Sequence, residues 1–246
     1  MLVLIMTLAG FCVGFALDEL ILRLAREPFE RREADVEDDD GRHPGSAAPL
    51  DLRSEAGIVA LPWSLTGGSL YRRIVVVVLT ALLFAFVGRQ YAGHVPAMLV
   101  AAAYVSVLLV CAATDVIAYR VPNVVSYPAI VAALLIGMLA PGADRLSVVG
   151  GGLLAGGLFF ACALLPGGPM GMGDVKLALF IGFALGFGLV VPAMLVMAIS
   201  GGIVAAVLLL LKLAGLRRVN YMFYAPFIAL GAVVVLLTQG TVFFRL

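Results

Sequence analysis

Long apolar runs separated by short polar segments constrain this chain more than any other feature. A helix needs ~20 apolar residues, or about 17 at the least, to cross the hydrocarbon core of a bilayer. Candidate runs lie at residues 1–17, 74–87, 96–113, 124–139, 146–165, 175–190, 192–213 and 224–244. Only 13% of the residues are charged, against roughly 25% in a soluble domain. We therefore predict an all-α, polytopic membrane protein with about eight transmembrane helices.

A polar segment at 26–73 follows the first apolar run. Twelve of the fifteen acidic residues fall between Asp18 and Glu55, and a stretch rich in Gly, Pro, Ser and Ala spans 41–49. Such composition is typical of a solvated, poorly ordered loop. We therefore predict a first transmembrane helix at 1–25, a long and partly disordered cytoplasmic loop at 26–73, and a seven-helix core at 74–246.

The arginines and lysines predict the orientation in the membrane. If the 26–73 loop is cytoplasmic and the runs alternate in direction, thirteen basic residues lie inside and three outside. Cytoplasmic loops of membrane proteins carry such an excess of positive charge. The same alternation places Asp115 and Asp174 at cytoplasmic helix ends. Two acids that are far apart in sequence are therefore expected on the same side of the membrane.

Glycines on the run at 146–165 indicate close helix packing. Gly152 and Gly156 are four residues apart, and further glycines stand at 150, 151 and 157. Small residues at this spacing let two helices approach closely in lipid. We predict that the helix before Asp174 packs tightly against a neighbour.

Asp115 and Asp174 are the candidate chemical groups. After Arg73 the chain has only one other acid, Asp144, which lies in a polar turn. An acid at a membrane helix end is costly unless it has a partner or a function. Two carboxylates held about 3 Å apart share one proton, as in aspartic proteases. One can then take a proton from water while the other donates to a substrate carbonyl.

The residues around both acids carry a family resemblance. Thr114–Asn123 reads T-D-V-I-A-Y-R-V-P-N, and Gly171–Leu177 reads G-M-G-D-V-K-L. These segments resemble the two catalytic motifs of the type IV prepilin peptidases, an aspartate followed by Pro-Asn and a GxGDxKL motif. Tyr224–Ala232, Y-A-P-F-I-A-L-G-A, is similar to the last helix of that family, and Gly10–Leu24 resembles a degraded form of its first helix.

The resemblance implies a GxGD-type membrane aspartic protease of the bacterial inner membrane. Its substrates would be prepilins or pseudopilins of type IV pilus or type II secretion systems, cut at the cytoplasmic face after a glycine. Asp115 and Asp174 carry over as the catalytic pair. The substrate-binding residues predicted from the motifs are Gly171, Gly173, Lys176, Pro122 and Asn123. The glycines would let a peptide approach Asp174, and Lys176 would act as an anchor or tune Asp174.

The first loop departs from the family pattern. Bifunctional members carry two CxxC pairs there, which can hold zinc, whereas this loop contains no cysteine and a single histidine, His43. We therefore predict no metal site and no cofactor for the peptidase. S-adenosylmethionine would be needed only if the family's N-methyltransferase activity is retained, and that question stays open.

The net charge of +1 gives no indication of a nucleic-acid partner. The expected partners are the substrate and the lipid bilayer, and the sequence leaves open whether the protein forms a homodimer.

Two alternatives follow from the same acids. Asp115 could be a structural acid paired with Arg120, and Asp174 could cap a helix. The chain could also be a transporter or channel in which the two aspartates relay protons or cations. Such a relay predicts acids near the middle of the membrane and an internal repeat. The two acids lie instead at the ends of runs, and the halves of the sequence do not look alike.

Overall fold

The computed structural model describes residues 1–40, 70–118, 120–165, 171–213, 223–242 and 244–245. In these residues the chain forms seven helices and a short antiparallel hairpin. The elements are α1 (Leu2–Asp40), α2 (Leu70–Gln90), α3 (Val95–Ala118), α4 (Asn123–Leu139), α5 (Arg145–Ala163), α6 (Met172–Leu213), α7 (Ala225–Gln239), β1 (Gly240–Thr241) and β2 (Phe244–Arg245).

The described helices confirm an all-α, polytopic membrane architecture. Five of them contain stretches long and apolar enough to cross a membrane, namely the 2–25 part of α1 together with α2, α3, α5 and α6. Helices α4 and α7 are shorter but also apolar. Helices suit this setting because lipid offers no hydrogen-bond partner to an open backbone.

Helix α6 covers two of the predicted spans, 175–190 and 192–213, so the described residues form seven helical elements. The helix is nevertheless broken at Gly186, whose φ of 72° and ψ of 172° are non-helical. This positive φ favours glycine, which has no Cβ to clash. The break therefore falls within the stretch from Gly186 to Pro192 that separates the two predicted spans.

Helix α1 differs from the predicted division at residue 25. It continues to Asp40, and α2 begins at Leu70, so both ends of the predicted 26–73 loop are helical. The segment 26–40 contains four Glu and three Arg, which favour helix even in a highly polar segment. The remaining predicted loop, including His43, lies outside the described residues.

The glycine prediction for α5 is confirmed. Helices α5 and α6 form the most extensive helix pair in the described structure. A Cβ on Gly151 or Gly152 would overlap Gly182 or the Phe183 ring, and one on Gly156 would meet Leu179 Cδ1 at 2.8 Å. The missing side chains therefore set the close approach of α5 to the helix that carries Asp174.

The C-terminal run also ends earlier than predicted. Helix α7 stops at Gln239, and Gly240 takes a φ of 96° that turns the chain into the hairpin. The Phe244 ring packs on His94 and Tyr91, with centroids 4.3 and 5.5 Å apart. The hairpin thus closes the end of the bundle where α2 ends and α3 begins.

Candidate active site

Asp115 lies in the last turn of α3, and its carboxylate meets the beginning of α7. The side-chain Oδ2 atom accepts a hydrogen bond of 3.3 Å from the backbone N–H of Ala225. Ala225 is the first residue of α7, and the preceding Tyr224 provides no side-chain cap. Asp115 therefore satisfies a helix-terminal N–H that would otherwise lack a partner. The alternative ion pair with Arg120 is not found among the described residues, where Arg120 is exposed.

Asp174 is the third residue of α6 and is buried, with 8% of its surface exposed. Its Oδ2 atom accepts a hydrogen bond of 3.2 Å from the N–H of Gly171, and its own N–H donates to the Gly171 carbonyl at 3.1 Å. This is half of a capping box, in which a third-position acid reaches back to the capping residue. Gly171, and not Asp174, is therefore the N-cap.

The two carboxylates come from motifs that are far apart in sequence but interact electrostatically. Each uses its Oδ2 atom to accept a backbone N–H at the beginning of a helix. Helix N-termini carry a partial positive charge that favours a nearby carboxylate. The site thus consists of two acids at two helix N-termini, at one end of the bundle.

The two motif glycines have different surroundings. A Cβ on Gly173 would lie 3.0 Å from both Cβ and Cγ2 of Val121, in the segment between α3 and α4. A Cβ on Gly171 would meet nothing closer than the Gly173 nitrogen at 3.9 Å. The space beside Gly173 is therefore filled by this chain, whereas the space beside Gly171 is open.

Lys176 and Asn123, both predicted to bind substrate, bind each other. The Lys176 ammonium donates a hydrogen bond of 2.6 Å to the Asn123 Oδ1 atom and lies 4.6 Å from the centre of the Tyr127 ring. Pro122 is the N-cap of α4 in an extended conformation, and its carbonyl accepts from Ser126 at 3.0 Å. Asn123 therefore begins α4 without capping it.

A second buried charge cluster was missed in the sequence. Asp18 of α1 is fully buried and accepts hydrogen bonds from Arg72 at 3.0 Å and Arg73 at 3.1 Å, both on α2. The available signal was the position of these three residues, since Asp18 follows the first apolar run and the arginines precede the second. Ala225 and Val121 were missed too, because a backbone donor and an apolar side chain carry no chemical signature in a sequence.

The described residues offer no set of ligands for a metal. They contain no group of three or more His, Cys, Asp or Glu side chains placed to hold an ion. Asp115 and Asp174 do not form such a group, so no chemical step is assigned to a metal there.

The fold and the site define a polytopic helical membrane protein with two carboxylates held at helix ends. Comparison with protein families gives the particular class, because residues 102–209 match the model described as the type IV leader peptidase family. The matched residues contain both Asp115 and Asp174, so the match supports the resemblance seen in the motifs. Comparisons with curated proteins and with solved structures gave no match.

Proposed function

We propose that this protein, a protease of the type IV leader peptidase kind, is a membrane-embedded aspartic endopeptidase that removes the leader peptide of prepilins or pseudopilins. The observation that carries the proposal is that Asp115 and Asp174, each from one of the two motifs, lie at helix N-termini close enough to interact electrostatically. Both lie within the matched residues 102–209.

The proposed reaction is hydrolysis of a peptide bond by a water molecule between the carboxylates. The ionised aspartate takes a proton from the water, whose oxygen attacks the carbonyl carbon, while the protonated aspartate donates to the carbonyl oxygen. Collapse of the tetrahedral intermediate breaks the C–N bond. The aspartate that took the proton from water gives it to the leaving amine, and the other aspartate regains a proton from a hydroxyl of the intermediate. The backbone donors occupy Oδ2 of each acid, and we assign the exchange with water and substrate to the Oδ1 atoms.

The position of the acids favours this reaction over a proton or cation relay. Asp115 is three residues from the end of α3, and Asp174 is the third residue of α6. A relay through the membrane needs ionisable groups deep in the bundle. A protease acting on a leader at the membrane surface needs them at a helix end.

We place this end of the bundle at the cytoplasmic side. Tyr91, which follows α2, donates a hydrogen bond to Leu236 near the end of α7, so the beginning of α2 lies where α7 begins. Arg72 and Arg73 therefore lie at the same end as Asp115. Positive charge at this end supports the cytoplasmic orientation, which places the site where a leader that has not crossed the membrane is accessible.

We do not include N-methylation of the new terminus in the proposal. The peptidase reaction as written needs no cofactor. S-adenosylmethionine would enter only through a separate methyltransferase activity, which a mass increase of one methyl group on the cleaved pilin would reveal.

The experiment is co-expression of the full chain with candidate prepilins and pseudopilins. Leader removal is read by gel shift, and mass spectrometry identifies the new N-terminus. We expect cleavage after the glycine that ends the leader, and no cleavage when that glycine is replaced. Asp144→Asn is the matched control for substitution of either motif aspartate. Asp144 also accepts a hydrogen bond at the beginning of a helix, from the Leu146 N–H at 3.1 Å, but it belongs to neither motif. Failure of the inserted protein to shorten any of these substrates would contradict the proposal.

A further inference from the structure

The segment after Asp115 and the first turns of α6 are joined at two points. Val121 packs against Gly173, and Asn123 accepts a hydrogen bond from Lys176. Gly173 is next to Asp174 in sequence, and Lys176 follows it by two residues. The contacts therefore hold the end of the Asp115 helix against the beginning of the Asp174 helix.

The polar contact lies at the surface and has a charged donor. A hydrogen bond with a charged donor stabilises more than a neutral one, and the bond between Lys176 and Asn123 measures 2.6 Å. The lysine also lies over the Tyr127 ring on the first turn of α4, a cation–π geometry. One ammonium group thus contacts two side chains of α4, and neither is part of the carboxylate pair.

Other charged groups do not account for the lysine. The ion pairs of the described residues join Arg23 with Glu19, and Arg72 and Arg73 with Asp18. Within that part of the chain Lys176 makes no ion pair with Asp174, although it is two residues away. The geometry therefore gives Lys176 no direct ion pair through which it could tune Asp174.

We propose that Lys176 and Asn123 are positioning residues that set the separation of Asp115 and Asp174 and do not bind the substrate. This inference rests on the proposed peptidase function. The linker 119–122 connects α3 to Asn123, so fixing Asn123 to α6 restricts how far the last turn of α3 can move from Asp174. Small displacements of catalytic groups reduce a rate strongly.

The test is a double-mutant cycle on cleavage of a prepilin by the full chain in membranes. The variants are Lys176→Met, Asn123→Leu and the double substitution, with Lys212→Met, an exposed lysine near the end of α6, as control. We expect each single variant to lower kcat about tenfold at an unchanged KM. The double variant should be no slower than the slower single one, because both substitutions break one contact. Lys176→Arg keeps a donor and a cation over Tyr127, so its kcat should stay close to wild type.

Three results would overturn the inference. A raised KM at unchanged kcat would show that the side chains bind substrate. Losses that multiply to about a hundredfold in the double variant would show that the residues act independently. A loss in Lys176→Arg as large as in Lys176→Met would show that the donated hydrogen bond is not what matters.

A second readout separates this inference from the proposed function. Thermal unfolding of the same variants in detergent requires no substrate. Non-additive lowering of the unfolding midpoint would support the contact even if the wild-type chain cleaved no prepilin, and additive lowering would contradict it. Absence of wild-type cleavage would count against the proposed function alone.

Discussion

The two ends of helix α7 are contacted by side chains of opposite hydrogen-bonding character. At its beginning, the Ala225 N–H donates to the Asp115 carboxylate. At its end, the Tyr91 hydroxyl donates to the Leu236 carbonyl at 2.7 Å and the Gln90 amide donates to Leu237 at 2.8 Å. Both ends need partners because helix termini leave backbone groups unpaired, and a bilayer supplies few.

The difference is chemical. At the far end of α7, the backbone carbonyls accept hydrogen bonds from a phenol and an amide, which are neutral groups that do not ionise near neutral pH. The other end is satisfied by a carboxylate that also interacts with Asp174. The same structural need is thus met by inert groups at one end and by reactive groups at the other. Substitution of Asp115 or Asp174 should therefore affect the rate, whereas substitution of the side chains that contact the other end of α7 should affect stability alone.

The largest expected effect is loss of the reaction in Asp115→Asn and in Asp174→Asn. Each variant keeps a side-chain oxygen to accept its backbone N–H but cannot exchange a proton with water. We expect the cleavage rate to fall at least about a hundredfold, with membrane protein levels near wild type. Leader removal and immunoblotting measure the two quantities. Substantial leader removal by either variant would contradict the assignment of Asp115 and Asp174 as the catalytic pair.

The second effect concerns the stability of the bundle end that holds Asp115 and the buried Asp18 cluster. Asp18→Asn removes the charge that pairs Arg72 and Arg73, so the buried Arg72 guanidinium loses its ion pair with Asp18. Breaking a buried pair in this way destabilises by about 3–5 kcal/mol. The amount of folded protein recovered in mild detergent should fall clearly, and Glu19→Gln, at an exposed pair on the same helix, should not change it. Equal recovery of both variants would show that the buried cluster contributes little.

The sequence predicts much of this end of the molecule. Apolar runs imply helices, their alternation and the positive charges put Asp115 and Asp174 on one side, and the motif spacing indicates a carboxylate pair. These inferences are possible because lipid restricts both the secondary structure and the direction of each span.

Contacts between distant segments could not be predicted in the same way. Ala225 is 110 residues from Asp115, and nothing in the composition of either segment indicates that they meet. The partner of Gly173 is an ordinary valine, and the partners of Asp18 lie beyond a long polar segment. The contact between Lys176 and Asn123 could not be predicted either, because their hydrogen bond depends on how α4 packs against α6. Their role in substrate binding stays a prediction.

An intermediate effect is expected at Gly173. The sequence suggests that this glycine makes room for a peptide, whereas the structure puts Val121 there at 3.0 Å. Gly173→Ala should lower the cleavage rate about tenfold by pushing the two motifs apart, while Gly171→Ala, whose Cβ enters open space, should stay near wild type.

The two explanations differ in a rescue experiment. If Val121 is what requires the glycine, the double variant Val121→Ala with Gly173→Ala should recover most of the lost rate. If the glycine serves the peptide, shortening Val121 will not help. Kinetic measurement on one prepilin decides between them, with Val121→Ala alone as the reference.

The smallest effect belongs to the far end of α7. Tyr91→Phe removes the hydroxyl that donates to Leu236 and leaves a buried carbonyl with one partner fewer. We expect a loss of about 1 kcal/mol in the free energy of unfolding, seen as a lower denaturant midpoint in detergent micelles. The kcat for leader removal should be unchanged under conditions where the variant is folded, because no ionisable group of the site contacts this residue in the described structure. A reduced kcat with unchanged stability would mean that the far end communicates with the aspartates, and the division between a reactive and an inert end would fail.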